Sequence, residues 1–275
     1  MDRNKKYLYS KLTWPEINEA VKRKKVVLIP FGTIEDHGFH LPVDTDILIA
    51  STICERTAEL FAEEIIVMPP VSYGYSPHHI DFPGTVTITW DTLVKYLLDI
   101  CKSLIYHGFK KILIVNGHGS NQPIGDLAAR LAVIEGTDIH CAFISWWELS
   151  SVQKLFNEIR ETKIVAHAGE LETSLYLAIN PDNVNMKEAE ADMSCSISPH
   201  FWSDLTGRKP EKNFKNPVHM TEFWSTVTNN GVKGDPTKAS REKGEKVLEV
   251  VCNELLEVIK EFKEREIRKR VKHQI

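Results

Sequence analysis

The sequence predicts an α/β fold: a single domain with a mostly parallel sheet, helices on both of its faces, and an active site at the carboxyl ends of the strands. Three observations predict it. Short continuous apolar runs such as VVLIPF and KILIVN have the pattern of strands buried on both faces. Amphipathic stretches alternate with these runs, the rhythm of parallel strands joined by helices. The 275 residues, 42% of them hydrophobic, suffice for one large core.

The elements follow in order. Thr13, Pro15 and Glu16 form a capping-box pattern that opens a helix to about residue 24. VVLIPF (26–31) is the first strand, and a helix runs over about 46–63. IIVMPP (65–70) is the second strand, and the β-branched TVTIT (85–89) a third. Leu93, Leu97, Cys101 and Leu104 repeat at four and three residues, so 90–107 is a helix stopped by Gly108. KILIVN (111–116) is a strand, followed by a helix to about 135 and the strand HCAFIS (140–145). From 180 to 237 the periodicity breaks, punctuated by five prolines. Phe201, Trp202, Phe223 and Trp224 imply that part of it packs. A segment this long without periodicity is expected at the site rim or an oligomer interface. A long helix over 239–270 closes the domain, which spans 1–275.

Composition excludes several classes. The 34 Lys+Arg against 38 Asp+Glu give a net charge of −4, which favours neither nucleic acid nor an anionic membrane. No apolar run approaches about 18 residues, so no membrane span is expected, and the basic N-terminal stretch does not read as a signal peptide. Five cysteines (54, 101, 141, 195 and 252) are scattered without C-x-x-C spacing, which argues for a reducing cytoplasm and against a thiolate metal site. With 11 histidines, any metal would be held by nitrogen and oxygen.

Ligands of open parallel sheets bind beyond the carboxyl ends of the strands, so the loops leaving each strand carry the chemistry. The loop after VVLIPF packs Glu35, Asp36, His37, His40, Asp44 and Asp46 into twelve residues. If 35–37 is extended, Glu35 and His37 point the same way. Asp46 falls at the helix start, where a carboxylate can also cap the backbone. The loop after KILIV is N-G-H-G-S-N, with His118 between Gly117 and Gly119 at the strand end. A third cluster, V-A-H-A-G-E-L-E-T-S, offers His167, Glu170 and Glu172 just before a helical stretch. Glu170 can serve merely to complement the helix dipole, and Glu172 reads as a ligand. Trp146 and Trp147 follow a strand, where either could stack on a flat substrate or pack in the core. No glycine-rich nucleotide-binding signature follows Phe31.

The ordered motifs E-x-H-G-x-H-L-P-x-x-T-D, N-G-H-G-x-N and H-A-G-E-x-E-T-S, with F-P-G-T preceded by Ser76 and His79 and a late G-V-x-G-D-P, resemble the creatininase family over about 14–244. The resemblance implies two divalent metal ions (Zn, Mn or Fe(II)). It assigns Glu35, Asp46 and His118 to one and His37, Asp46 and Glu172 to the other, with Asp46 bridging. It makes His167 the catalytic histidine and places His40 behind the ligands. Ser76, His79, Ser120, Glu170 and Trp147 complete the set of supporting or substrate-facing candidates. The resemblance also implies a homo-oligomer, hexamers being common in the family.

Two departures argue against creatinine itself as substrate. Gly119 and Ser120 stand where creatinine hydrolases carry tyrosine and glutamate, and Ala166 stands where they carry glutamate. The expected activity is a dinuclear metal-dependent amidohydrolase. A metal-bound hydroxide would attack the carbonyl of a cyclic amide or formamide in a small-molecule substrate. Two alternatives stay open: a peptidase for short peptides or a cofactor precursor using the same site, and an inactive metal-binding assembly protein.

Overall fold

The computed structural model describes residues 6–194 and 196–273, so Cys195 and residues 1–5 of the basic N-terminal stretch lie outside them. Four strands, β1 (Val26–Phe31), β2 (Ile65–Val67), β3 (Lys111–Asn116) and β4 (His140–Ser145), form one parallel sheet in the order β2-β1-β3-β4. Seven helices accompany them: α1 (Trp14–Lys22), α2 (Thr45–Leu60), α3 (Trp90–Tyr106), α4 (Gln122–Glu135), α5 (Ser150–Ile159), α6 (Glu170–Ile179) and α7 (Arg241–Glu264).

The sheet divides the core in two. Val26, Leu28, Leu113 and Val115 point to the face covered by α2, α5, α6 and α7. Val27, Ile29, Ile112 and Ile114 point to the face covered by α1, α3 and α4. The alternation is that of a strand, but both sides are apolar, which explains the unbroken hydrophobic runs. After β1 the chain moves outward to β2 over one face, then returns to β3 over the other. The switch point therefore lies between β1 and β3, and the loops leaving those two strands open onto a shared crevice.

Several expectations are corrected. Residues 85–89 form no strand: they contribute a single bridge, Ile34 to Val86, because no neighbouring strand offers a ladder there. The second strand stops at Val67, before Met68 and the two prolines. The helix α5 was not anticipated, although Val152, Leu155, Phe156 and Ile159 carry helical spacing. The C-terminal helix ends at Glu264 rather than near 270. The stretch 180–237 holds only short 3-10 turns and bridges among its described residues.

Helix α6 is held against α7 by a steric pinch. A Cβ on Gly244 would sit 1.8 Å from the Ser174 carbonyl oxygen, so only glycine admits this crossing. Gly244→Ala should cost about 3 kcal/mol or more, since neither backbone can yield without repacking both helices. Chemical denaturation measures it, and an unchanged midpoint would mean that the helices separate freely.

Candidate metal centre

The loop 32–44 leaves β1 at the switch point and brings Glu35 and His37, both wholly buried, over the strand ends. Asp46 lies one residue inside α2, whose N-cap is Asp44, and its carboxylate turns to the crevice instead of capping the helix. His118 follows β3. Gly117 before it is required for clearance, since a Cβ would lie 2.5 Å from the Asp46 carbonyl oxygen. Gly119, by contrast, has nothing within 4 Å, and its backbone needs no glycine. Glu172 arrives on the first turn of α6, with Ala168 N–H donating to its Oε2 at 2.6 Å.

These side chains converge. His118 Nδ1 is 3.1 Å from Glu35 Oε1 and 3.2 Å from Asp46 Oδ2, and His37 Nε2 is 3.3 Å from Asp46 Oδ1. Asp46 thus turns one oxygen to each imidazole. Ligand atoms of Glu35, Asp46 and His118 all lie within 4.8 Å of one another, as do those of His37, His167 and Glu172. A third such group joins Glu35, His79 and His167.

Backbone carbonyls fix the imidazoles. His118 Nε2 donates to the Tyr75 carbonyl at 3.2 Å, and His37 Nδ1 to the Glu35 carbonyl at 3.3 Å. Each ring therefore turns its other nitrogen inward to the carboxylates, the orientation of metal-binding histidines. His167 Nε2 donates to the Asp36 carbonyl at 2.9 Å, leaving Nδ1 free and 3.7 Å from Glu35 Oε1. Ser76 donates to Glu35 Oε2 at 2.5 Å, and His79 Nδ1 to Asp36 Oδ1 at 2.7 Å. His40 reaches Thr173 Oγ1 at 2.9 Å, behind the cluster.

The electrostatics ask for positive charge. Burial works to raise the Glu35 carboxyl, but His118 and His79 hold it well below the usual range. Burial works to lower His37, and Asp46 and Glu172 instead raise it to about 10. His118 is likewise raised to about 10, Glu35 outweighing burial. Burial and neighbouring imidazoles push His167 down to about 3, so this ring is neutral. Burial raises Glu172 to about 7.

A cation fits this donor set. Glu35 Oε1, His37 Nε2 and Asp46 Oδ2 are buried, form no hydrogen bond of regular geometry among the described residues, and meet only other atoms of the cluster at 3.1–3.3 Å. Each such group costs about 1–3 kcal/mol in a folded protein, so three facing one spot are untenable unless something compensates them. Nitrogen and oxygen donors without sulfur suit zinc, manganese or iron(II).

The family model described as creatinine amidohydrolase matches residues 10–259. The chain belongs to the creatininase family. It is 29% identical to a creatinine amidohydrolase of Pseudomonas putida over 94% of this chain and 98% of that one. It is 32% identical to a mycofactocin precursor peptide peptidase of Mycolicibacterium smegmatis over 86% and 85%. Solved structures of a manganese creatininase and of a variant creatininase of Zn–Zn type superpose with a TM-score of 0.77 at 27% identity, covering 94% of this chain and 99% of theirs.

Two candidates leave the creatininase site. Glu170 is buried on the other side of α6, where its carboxylate accepts from the Glu161 and Thr162 N–H groups and pairs with Lys243. Residues two apart on a helix differ by about 200°, so Glu170 and Glu172 cannot share a target. Trp147 is 5% exposed and packs with Trp146 in the core, because a 3-10 turn folds both rings back under the sheet. Ser120 lies at the rim, its hydroxyl 3.2 Å from His78 Nε2.

Asp36, one of the six titratable side chains of the first loop, orients His79. Two neighbours were not singled out as site residues from the sequence. His78 stands beside His79 and His118. Trp224, from the irregular segment, stacks on His79 at 4.6 Å and meets His167 edge-on at 5.2 Å. The His78–His79 doublet was a readable signal, but nothing local marks Trp224 among the segment's aromatics.

Proposed function

We propose that the protein is a metal-dependent amidohydrolase that cleaves a C–N bond of a small cyclic amide or formamide. Glu35, Asp46 and His118 hold one divalent ion, His37, Asp46 and Glu172 the other, and His167 handles the proton. The observation that carries this reading is the convergence of buried Glu35, His37, Asp46 and His118 atoms on one spot, where they face one another at 3.1–3.3 Å. Two divalent ions held there would polarise a substrate carbonyl and make water acidic enough to deprotonate near neutral pH.

The chain's own residues supply the rest. His167 is neutral, and its Nε2–H is committed to the Asp36 carbonyl, so Nδ1 is the atom that takes a proton and returns it to the leaving nitrogen. Ser76 fixes the Glu35 carboxylate, and Asp36 fixes His79. Trp224 packs against His79 and His167 and would limit the entry of water to them. An unprotonated imidazole nitrogen in place at His167 speaks against an inactive metal-holding protein.

A second reading, hydrolysis of short peptides at the same site, is favoured by the 32% identity to the peptide peptidase. A panel of cyclic amides, formamides and short peptides, assayed with zinc, manganese and anaerobic iron(II), separates the readings. Turnover of none of them with metal bound would overturn both. Cytoplasmic location belongs to the same proposal, supported by the free thiols of Cys54, Cys101, Cys141 and Cys252. So does a homo-oligomer, possibly a hexamer, with 180–237 at its interface or the site rim; the mass in solution tests it.

Metal uptake should release protons. In the metal-free protein His37 and His118 hold theirs up to about pH 10, against an ordinary 6.5. Their contribution to metal-free stability is therefore complete below pH 6.5 and lost as the pH rises through 10. Ligation needs both rings neutral. Titrating zinc into weakly buffered protein at pH 8 should release about two protons per chain, falling towards none above pH 10. No release at pH 8 would mean that the two rings are already neutral in the metal-free protein.

A further inference from the structure

We infer that the pocket beside Trp224 is a substrate subsite in which Lys233 holds an anionic group of the substrate. The inference rests on the hydrolase reading for its meaning. It begins with a pocket of about 490 Å³ carried by the irregular segment and lined by Ser196, Ser198, Ser225, Thr226, Glu222 and Lys233.

Lys233 is the unusual member. Its backbone is locked to His167 by two hydrogen bonds: His167 N–H donates to the Lys233 carbonyl at 3.1 Å, and Lys233 N–H to the His167 carbonyl at 2.9 Å. Its half-buried side chain runs past Trp224, with Nζ 5.8 Å from the ring centroid and donating to Ser203 Oγ at 3.1 Å. Among the described residues it pairs with no carboxylate. Lys243, by contrast, is paired with both Glu161 and Glu170. An ammonium that lines a pocket beside the cluster and pairs with no carboxylate is open to an anion that arrives with the substrate.

Lys233 is the one cationic side chain among the described residues that line the pocket, and two of the pocket's hydroxyls are committed elsewhere. Ser225 donates its hydroxyl proton to Asp81, and Thr226 donates to the Phe223 carbonyl. Glu222 is exposed and repels an anion rather than holding it. Trp224 touches the imidazoles of His79 and His167, and the Lys233 ammonium lies over its ring at 5.8 Å. A substrate with its scissile bond at the cluster would pass the indole and end at the ammonium. The recognised group is an oxyanion, either a carboxylate or a phosphate.

The test is binding, read by isothermal titration of the metal-loaded protein, so that it does not depend on turnover. The probes are dicarboxylates from succinate to suberate, monocarboxylates of the same lengths, and ω-phosphonocarboxylates. One carboxylate can sit at the metals in every probe, so the added affinity of the second anion isolates the subsite. At the length that fits, the dianion should bind about tenfold or more tighter than its monoanion. Lys233→Met should abolish that advantage without changing the monocarboxylate affinity, Lys233→Arg should keep most of it, and Glu222→Gln should enlarge it. Whether carboxylate or phosphonate gains more names the source. No advantage at any length, or one that survives Lys233→Met, overturns the subsite. An advantage that disappears as expected in a protein that cleaves no amide overturns the hydrolase reading alone.

Discussion

Asp46→Asn should leave a folded protein that has lost its metal. Wild-type protein should carry close to two ions per chain by elemental analysis, and the variant well under one. The change is isosteric at a site only 2% exposed, so packing is preserved. What changes is that one carboxylate oxygen becomes an amide nitrogen, and the charge disappears. Both oxygens are in use, one facing His37 Nε2 at 3.3 Å and the other His118 Nδ1 at 3.2 Å. The new NH2 would face one of those ring nitrogens in place of a carboxylate oxygen and close that half of the site directly. The other half would lose the charge that balances its cation. Hydrolysis should fall by about a thousandfold or more, equivalent to ~4 kcal/mol of barrier. Full metal retention would sink the bridging role of Asp46.

His167→Ala should separate chemistry from metal binding. Metal content should stay near that of the wild type, because the proposed ligands lie elsewhere. The turnover number should fall by about 10²–10⁴-fold, the usual value of a positioned acid–base group. The free Nδ1 accounts for the loss, since no other neutral imidazole in the crevice presents a lone pair with its second nitrogen anchored to the backbone at 2.9 Å. Added imidazole should restore part of the rate, which a merely structural defect would not allow. In the wild type, activity should decline as acid protonates His167, and this limb should be missing from the residual activity of the variant. Unaltered turnover in His167→Ala would transfer the proton step to another group, with His79 the next candidate.

The sheet was legible because burial on both faces leaves a mark that solvated strands lack: VVLIPF and KILIVN have no polar side to show. The candidate cluster was legible for a related reason. Glu35, His37 and Asp46 occupy one short loop, and six titratable side chains beside an apolar strand have few structural uses. His118 was readable from its place at a strand end, and Gly117 beside it serves close packing against α2. What the sequence hid was direction. Glu170 and Glu172 share a helical turn, and only the packing of α6 on α7 decides which one faces the crevice. Likewise, Trp147 could not be assigned to core or substrate until the turn at Trp146–Glu148 set its side. Residues 85–89 have strand propensity, but a strand exists only where another supplies the ladder.

The crevice is built from two kinds of material. The residues proposed to hold metal stand at the ends of β1 and β3 and on the first turns of α2 and α6, all fixed by sheet register and core packing. Trp224 and Lys233, which lie over them, belong to a segment without sheet register or long helices. In evolutionary terms such a division separates invention from maintenance. Insertions and exchanges in the outer segment can change what the site admits while the inner residues keep their places. A single lineage can thereby serve both a creatinine amidohydrolase and a peptide peptidase.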